Sequence, residues 1–286
     1  MPDETRYVGL DLGGTAVKAG LVSGGKVTKH GSVPLKPSGS FDEIMEQIFQ
    51  LVDSLQPGTA AGIGVGAPSV VNVAEGIVYD TQNIPSWRDV EVPLGPALKQ
   101  RYRIPAFVNN DANCFVLGEK YFGKAKGYSN VVGVTLGTGL GSGLIIDNRL
   151  YSGTNCGAGE FGMVPFRDRV IEYYASGQFF TNVYGVRGET LARRAEQGEE
   201  EALRIFTEFG RNLGEALKTI LYAVDPELII LGGSVSRSFA LYQAGMREAL
   251  ATFVYPRSLE KLRIEISELP NAAILGAASL CLEFGK

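Results

Sequence analysis

The chain opens on stretches that alternate between apolar and polar positions. Residues 6–12 are apolar and β-branched enough for a strand, and 16–22 alternate as its partner. Ser23-Gly24-Gly25-Lys26 predicts a turn, and 26–33 continue the meander. The period then changes. Phe41, Ile44, Ile48, Leu51, Val52 and Leu55 recur at helical spacing, with Ser40 and Glu43 set as a capping box and Pro57-Gly58 as the stop. Residues 60–68 predict a small-residue strand ending at Pro68, and 106–114 a short buried strand that runs into a helix near Asp111. Residues 200–225 predict a long helix with Leu203, Phe206, Phe209, Leu213, Leu217, Ile220 and Leu221 on one face. Residues 227–236 read as a buried strand closing in glycines, and 271–284 as a final apolar helix. Strands alternating with helices predict an α/β protein.

One pattern occurs twice. In 130–146 a strand leads into glycines and a small hydroxyl residue, and a second strand emerges, as in the opening hairpin. Thr135-Leu136-Gly137-Thr138-Gly139 aligns with Asp11-Leu12-Gly13-Gly14-Thr15. Two like halves facing a shared cleft account for such a repeat. The length, 286 residues, suits two domains, and the boundary is expected near 112–130. It is placed so that 1–115 form an N-terminal α/β domain and 116–270 a larger C-terminal one, with the helix at 271–286 packing back on the first.

Composition narrows the chemistry. The net charge of −4 argues against a nucleic-acid partner. Three dispersed cysteines, Cys114, Cys156 and Cys281, fit small core residues in a reducing compartment. A single histidine, His30, removes His-rich metal sites and most Ser/His/Asp triads. No apolar run is long enough for a membrane span, and the first residues lack a signal-peptide pattern, so a cytoplasmic protein without a membrane partner is expected.

The two glycine turns carry the chemistry. Amides of such a turn can point together at an anion, and glycine lets a ligand approach closely. Gly13, Gly14 and Thr15, and Gly137, Thr138 and Gly139, suit phosphate-holding turns as well as plain hairpin turns; the duplication favours phosphate. Asp11 suits Mg²⁺, held directly or through water. Gly232, Gly233 and Ser234 close an apolar strand and suit either a nucleotide contact or a strand-to-helix turn. Asp111, at a strand-to-helix junction, reads first as a helix N-cap.

Together "DLGGT" (11–15), "GAPSVVN" (66–72), "NDANC" (110–114), "TLGTGLGSGLI" (135–145), "GTNCGAGEFG" (153–162) and "LGGSVS" (231–236) resemble the ROK family of sugar kinases and repressors, in the actin-like ATPase superfamily. The resemblance covers nearly the whole chain. It implies a two-domain ribonuclease-H-like fold with an interdomain cleft, ATP and Mg²⁺ as cofactors, and a hexose or hexose derivative phosphorylated at its 6-hydroxyl. It implies that Asp111 is the base that accepts the sugar hydroxyl proton, and that Asn83, Asn110, Glu160 and Glu172 meet the sugar, with Trp87 packing the Asn83 loop. Relatives are commonly dimers or tetramers, so a homo-oligomer, a dimer, is expected.

Two departures stand out. The family's zinc-ligating histidine is replaced by Met163, and the cysteine cluster that should follow is missing, so no zinc is expected. Methionine cannot donate a hydrogen bond to a sugar hydroxyl, which leaves the choice of sugar, including N-acetylhexosamines, open. A sugar-responsive regulator is the alternative class, but Asp11 stands too near the start to expect a helix-turn-helix domain before it. A non-catalytic sugar-binding relative is opposed by Asp11, Asp111 and both glycine turns. A polyphosphate donor would favour a basic track, for which Lys124, Lys126, Arg167 and Arg169 are candidates if they are not merely solvated.

Overall fold

The first strands are β1 (Arg6–Leu12), β2 (Ala16–Ser23) and β3 (Lys26–Pro34), followed by α1 (Phe41–Ser54). This computed structural model describes residues 5–36, 38–81 and 83–285. The capping box is formed: the Glu43 N–H donates to Ser40 Oγ, and the Ser40 N–H donates to the Glu43 carboxylate at 2.8 Å. Helix α1 buries Ile44, Met45, Ile48, Leu51 and Val52. Next come β4 (Ile63–Ala67), β5 (Val70–Asn72), β6 (Ile77–Tyr79), α2 (Leu94–Tyr102), β7 (Ala106–Asn110) and α3 (Asp111–Phe122). The first sheet runs β3-β2-β1-β4-β7, antiparallel across β1–β3 and parallel across β1, β4 and β7. Strand β4 is buried along its whole length, which is why its sequence does not alternate.

The second series is β8 (Val131–Leu136), β9 (Leu140–Ile146), β10 (Arg149–Tyr151), β11 (Pro165–Phe166), β12 (Arg169–Val170), α4 (Ile171–Ala175), α5 (Gln178–Tyr184), α6 (Gly188–Glu196) and α7 (Glu200–Val224). It closes with β13 (Leu228–Gly232), α8 (Phe239–Leu250), α9 (Pro256–Lys261), β14 (Arg263–Ile266) and α10 (Ala272–Glu283). The second sheet runs β10-β9-β8-β13-β14, with β8, β13 and β14 parallel. Its order matches the first sheet strand for strand, so the repeated turn marks a repeated architecture.

Residues 1–127, 143–158 and 268–286 group as one compact unit, and 128–142 with 159–267 as another. In the first, α10 lies on β1, β4 and α3. Glycines let the backbones touch: a Cβ on Gly64 would fall 1.7 Å from the Ala277 carbonyl oxygen, and one on Gly9 2.1 Å from that of Ile274. In the second, α7 packs on α8 and buries Phe206, Phe209, Leu213, Leu217, Ile220 and Leu221. Leu203 is a correction to the expected face. It is 37% exposed, because Ala202, Ile205 and Phe206 take the buried stripe and leave Leu203 beside it. All three cysteines are buried as thiols, not disulfides. No helix among the described residues is long and apolar enough to cross a membrane.

Candidate functional site

In the first unit the site residues gather where β1, β4 and β7 end. Register places Asp11 beside Gly66, and Gly66 beside Asn109. Gly66 lets the helix start come close: a Cβ there would sit 3.3 Å from Asp111 Cα. The cap of α3 is Asn110, not Asp111. Its Oδ1 accepts from the Ala112 and Asn113 N–H groups at 2.9 and 3.4 Å, and its Nδ2 donates to the Ser69 carbonyl at 3.3 Å. Both residues are good caps, so composition alone could not choose between them. Asp111 is therefore the first helical residue, with its Oδ1 also accepting from the Ala112 N–H at 2.8 Å.

Asp11 is partly buried and pairs with Lys18 at 3.9 Å across the hairpin. Burial pushes its carboxyl above the ordinary range, and Lys18 pulls the other way. Burial, then Asp111, Asp11 and Cys156, push the Cys114 thiol well up. Gly13 closes the hairpin by donating to the Ala16 carbonyl at 3.0 Å, while Thr15 is exposed and its carbonyl accepts from the Leu35 N–H. Gly14 has no room for a side chain, since a Cβ would meet Asn83 Cβ at 2.7 Å. The exposed Asn83 thus lies on the glycine turn, anchored by the wholly buried Trp87, whose ring sits 6.3 Å from that of Phe41.

The second unit holds the other turn. Gly137 N–H donates to the Gly139 carbonyl at 3.0 Å, and Thr138 is exposed. The segment carrying Glu172 braces this turn. Glu172 Oε2 accepts from the Leu140 N–H at 2.9 Å, and its Oε1 accepts from Gln178 Nε2 at 3.0 Å. Ser176 Oγ donates to the Thr138 carbonyl at 2.9 Å, and the Gly177 N–H to that of Gly137 at 2.8 Å. Both Glu172 oxygens are thus engaged within the protein. Glu160 is exposed, yet surrounding protein first and the Glu172 carboxylate second hold its pKa above the usual range. Met163 is 52% exposed on the short 3-10 turn Phe161–Met163.

Gly232 is buried as the last residue of β13. Gly233 makes the turn at φ +86°, where a Cβ would also strike the Leu136 carbonyl oxygen at 2.4 Å. Ser234 then joins Gly137 and Thr138 in lining a pocket of about 570 Å³, within the usual size of a small-molecule site. Phe180, Phe206 and Val235 supply its apolar lining. Arg187, Arg193 and Arg237 also line it, and among the described residues none pairs with their guanidinium groups. Sequence reasoning missed these arginines because they stand in no glycine motif. A larger groove in the first unit, about 1040 Å³, is lined by none of the expected site residues.

Nucleotide and Mg²⁺ both fit the donor sets present. Free guanidinium groups beside a backbone turn suit phosphate, and a partly buried carboxylate suits a hard cation. Among the described residues no three His, Cys, Asp or Glu side chains cluster as a metal cage. Mg²⁺ commonly takes only one or two protein carboxylates besides phosphate and water. The basic-track candidates are largely engaged: Lys124 pairs with Glu268 at 2.9 Å, Arg167 donates to Asn212 at 2.8 Å, and Arg169 lies over the Tyr173 ring.

The chain belongs to the ROK family, whose model matches residues 7–283. It is 30% identical to a glucokinase of Thermotoga maritima, over 97% of this chain and 98% of the relative. It is 32% identical to an N-acetyl-D-glucosamine kinase of Pectobacterium atrosepticum, over 93% and 92%. A ROK family glucokinase from Streptomyces griseus, solved in complex with glucose and AMPPNP, superposes with a TM-score of 0.82 at 28% identity, covering 96% of this chain and 98% of that one.

Proposed function

We propose that this protein is an ATP-dependent sugar kinase that transfers the terminal phosphoryl group to the 6-hydroxyl of a hexose or an N-acetylhexosamine. The observation that carries this reading is the division of labour at the start of α3. Asn110 does the capping, and Asp111, the first helical residue, follows it across Gly66 from Asp11: register sets Asp11 opposite Gly66, and a Cβ there would sit 3.3 Å from Asp111 Cα, where the Asp111 carboxylate serves as general base. Relatives named for glucose and for N-acetylglucosamine support the acceptor class.

Asp111 accepts the hydroxyl proton as the oxygen attacks phosphorus. Asn83, the Asn110 Nδ2 group and Glu160 hold sugar hydroxyls in place, since amides and carboxylates together supply donors and acceptors. Glu172 holds the Leu140 amide and so fixes the turn that precedes it; any sugar contact it makes uses its remaining lone pairs. The amides of Gly14 and Thr15, and those of Thr138 and Gly139, face phosphate, with Gly13 closing the hairpin that presents the first pair, and the pocket lined by Ser234 and Phe180 takes the nucleoside. Bound ATP–Mg²⁺ supplies the phosphoryl group and a cation that offsets its charge, with Asp11 as the protein's ligand to the metal. Met163 donates no hydrogen bond, so the sugar is selected without the donor used elsewhere in the family.

The test is sugar-dependent ADP release across hexoses and N-acetylhexosamines, run beside Asp111→Asn. One productive sugar, with kcat at least ~10²-fold lower in the variant, is expected. A folded protein silent across the panel, or a variant as fast as the parent, would overturn the reading.

A further inference from the structure

Asn109 precedes the proposed base by two residues and is completely buried. Its side-chain oxygen gathers four donors. The Asn110 N–H reaches it at 2.8 Å, Asn113 Nδ2 at 2.9 Å, the Cys156 thiol at 3.2 Å and Ser152 Oγ at 3.4 Å. Its own Nδ2 donates to Ser152 Oγ at 3.2 Å, and Asn113 Nδ2 also approaches Cys156 Sγ at 3.8 Å. Two stretches distant in sequence therefore meet on one carbonyl. One is the junction that presents Asp111. The other is the loop 152–158, which leads through Gly159 to Glu160.

Cys156 pays for its place in that loop. It has φ +57° among residues of which Gly153 and Gly157 are glycines, a backbone state that costs a non-glycine residue. A glycine would relieve the strain; the thiol is what a glycine lacks. Its 3% exposure and its hydrogen bond to Asn109 supply the compensation.

We infer that Asn109 is a positioning residue, with Cys156 as its partner: the pair ties the loop feeding Glu160 to the turn bearing Asp111 and so holds the base in register with the sugar. This inference rests on the reading of Asp111 as base. Both side chains are buried within the protein, so their loss acts through geometry, where a displacement near 1 Å can cost ~10²-fold in rate.

Four variants test it: Cys156→Gly, Cys156→Ser, Asn109→Leu and Asn109→Asp. Cys156→Gly removes the strain and the donor together and should lower kcat about ten- to a hundredfold, with KM for ATP within about twofold. Cys156→Ser and Asn109→Asp keep donor and acceptor respectively and should retain most of kcat. Asn109→Leu should fall with Cys156→Gly. Wild-type kcat in Cys156→Gly would overturn the inference, as would kcat and KM for ATP worsening together in proportion to lost stability. Amide exchange of 152–158 and 111–113 is read in parallel and needs no activity. Faster exchange in both segments of Cys156→Gly supports the tie; unchanged exchange refutes it. A parent protein without kinase activity would sink the reading of Asp111 and leave the exchange result to decide the tie.

Discussion

Replacing Gly139 by alanine should damage the second glycine turn through a single carboxylate. A Cβ at 139 would stand 2.3 Å from Glu172 Oε2, and real Cβ contacts essentially never fall under 3.0 Å, so the oxygen must retreat by about 0.7 Å. That same oxygen accepts from the Leu140 N–H at 2.9 Å, so the retreat carries the bond beyond the useful range. A hydrogen bond to a charged group contributes about 1.5–3 kcal/mol, so a loss near 2 kcal/mol is expected, or roughly 4–8 °C in Tm. The φ of Gly139 is not left-handed, so the alanine itself adds no backbone strain. The assay is a double-mutant cycle with Glu172→Ala, read by thermal unfolding and by KM for ATP. Because the clash and the lost bond share one group, the double variant should be about as stable as the worse single, a coupling of about 2 kcal/mol. Additive losses would refute the reasoning, as would a Gly139→Ala protein with the parent's Tm and KM.

Gly64→Ala should be severe, because its Cβ would meet a backbone carbonyl at 1.7 Å and no side chain can step aside; a loss at or above about 3 kcal/mol is expected, and a Tm within ~2 °C of the parent would contradict it. Glu160→Gln should stabilise the protein at pH 7. The pKa of Glu160 is raised on folding, so the cost of its charge is absent below pH 4.5, grows as pH rises from there to the folded value, is complete above it, and is removed by the amide. The gain in Tm should therefore vanish toward pH 4, and a pH-independent gain would count against the Glu160–Glu172 repulsion. The three buried thiols, with that of Cys281 pushed up to about 12, should resist alkylation at pH 8 until the protein unfolds; prompt labelling of the native state would show the burial to be wrong.

Much of the frame was legible in local sequence. The Ser40–Glu43 box needs residues three apart, and the twin turns announce themselves through glycine spacing; both appear in the structure at the expected places. What escaped depends on distance along the chain. Glu172 takes its two bonds from Leu140, 32 residues earlier, and from Gln178, and no periodicity encodes the first. Asn109 finds Cys156 47 residues later. The choice of cap between Asn110 and Asp111 was undecidable locally, since it turns on where β7 stops, and β7 stops where β4 ceases to pair. Leu203 shows the reverse error, a helical spacing that is correct for the helix and one position off for the face it buries.

Helix α10 has a consequence for how the chain comes into being. Its seat on β1 and β4 is cut by Gly9 and Gly64, yet the helix that fills it follows α3 by about 150 residues. During synthesis the opening strands emerge first and must wait, their seat empty, while the whole intervening unit leaves the ribosome. A ribosome-stalled chain ending before residue 272 would therefore present an unfinished apolar seam, and only resumed synthesis through α10 would complete it. Birth order and completion order are inverted, and the final dozen helical residues act as the clasp on strands made long before.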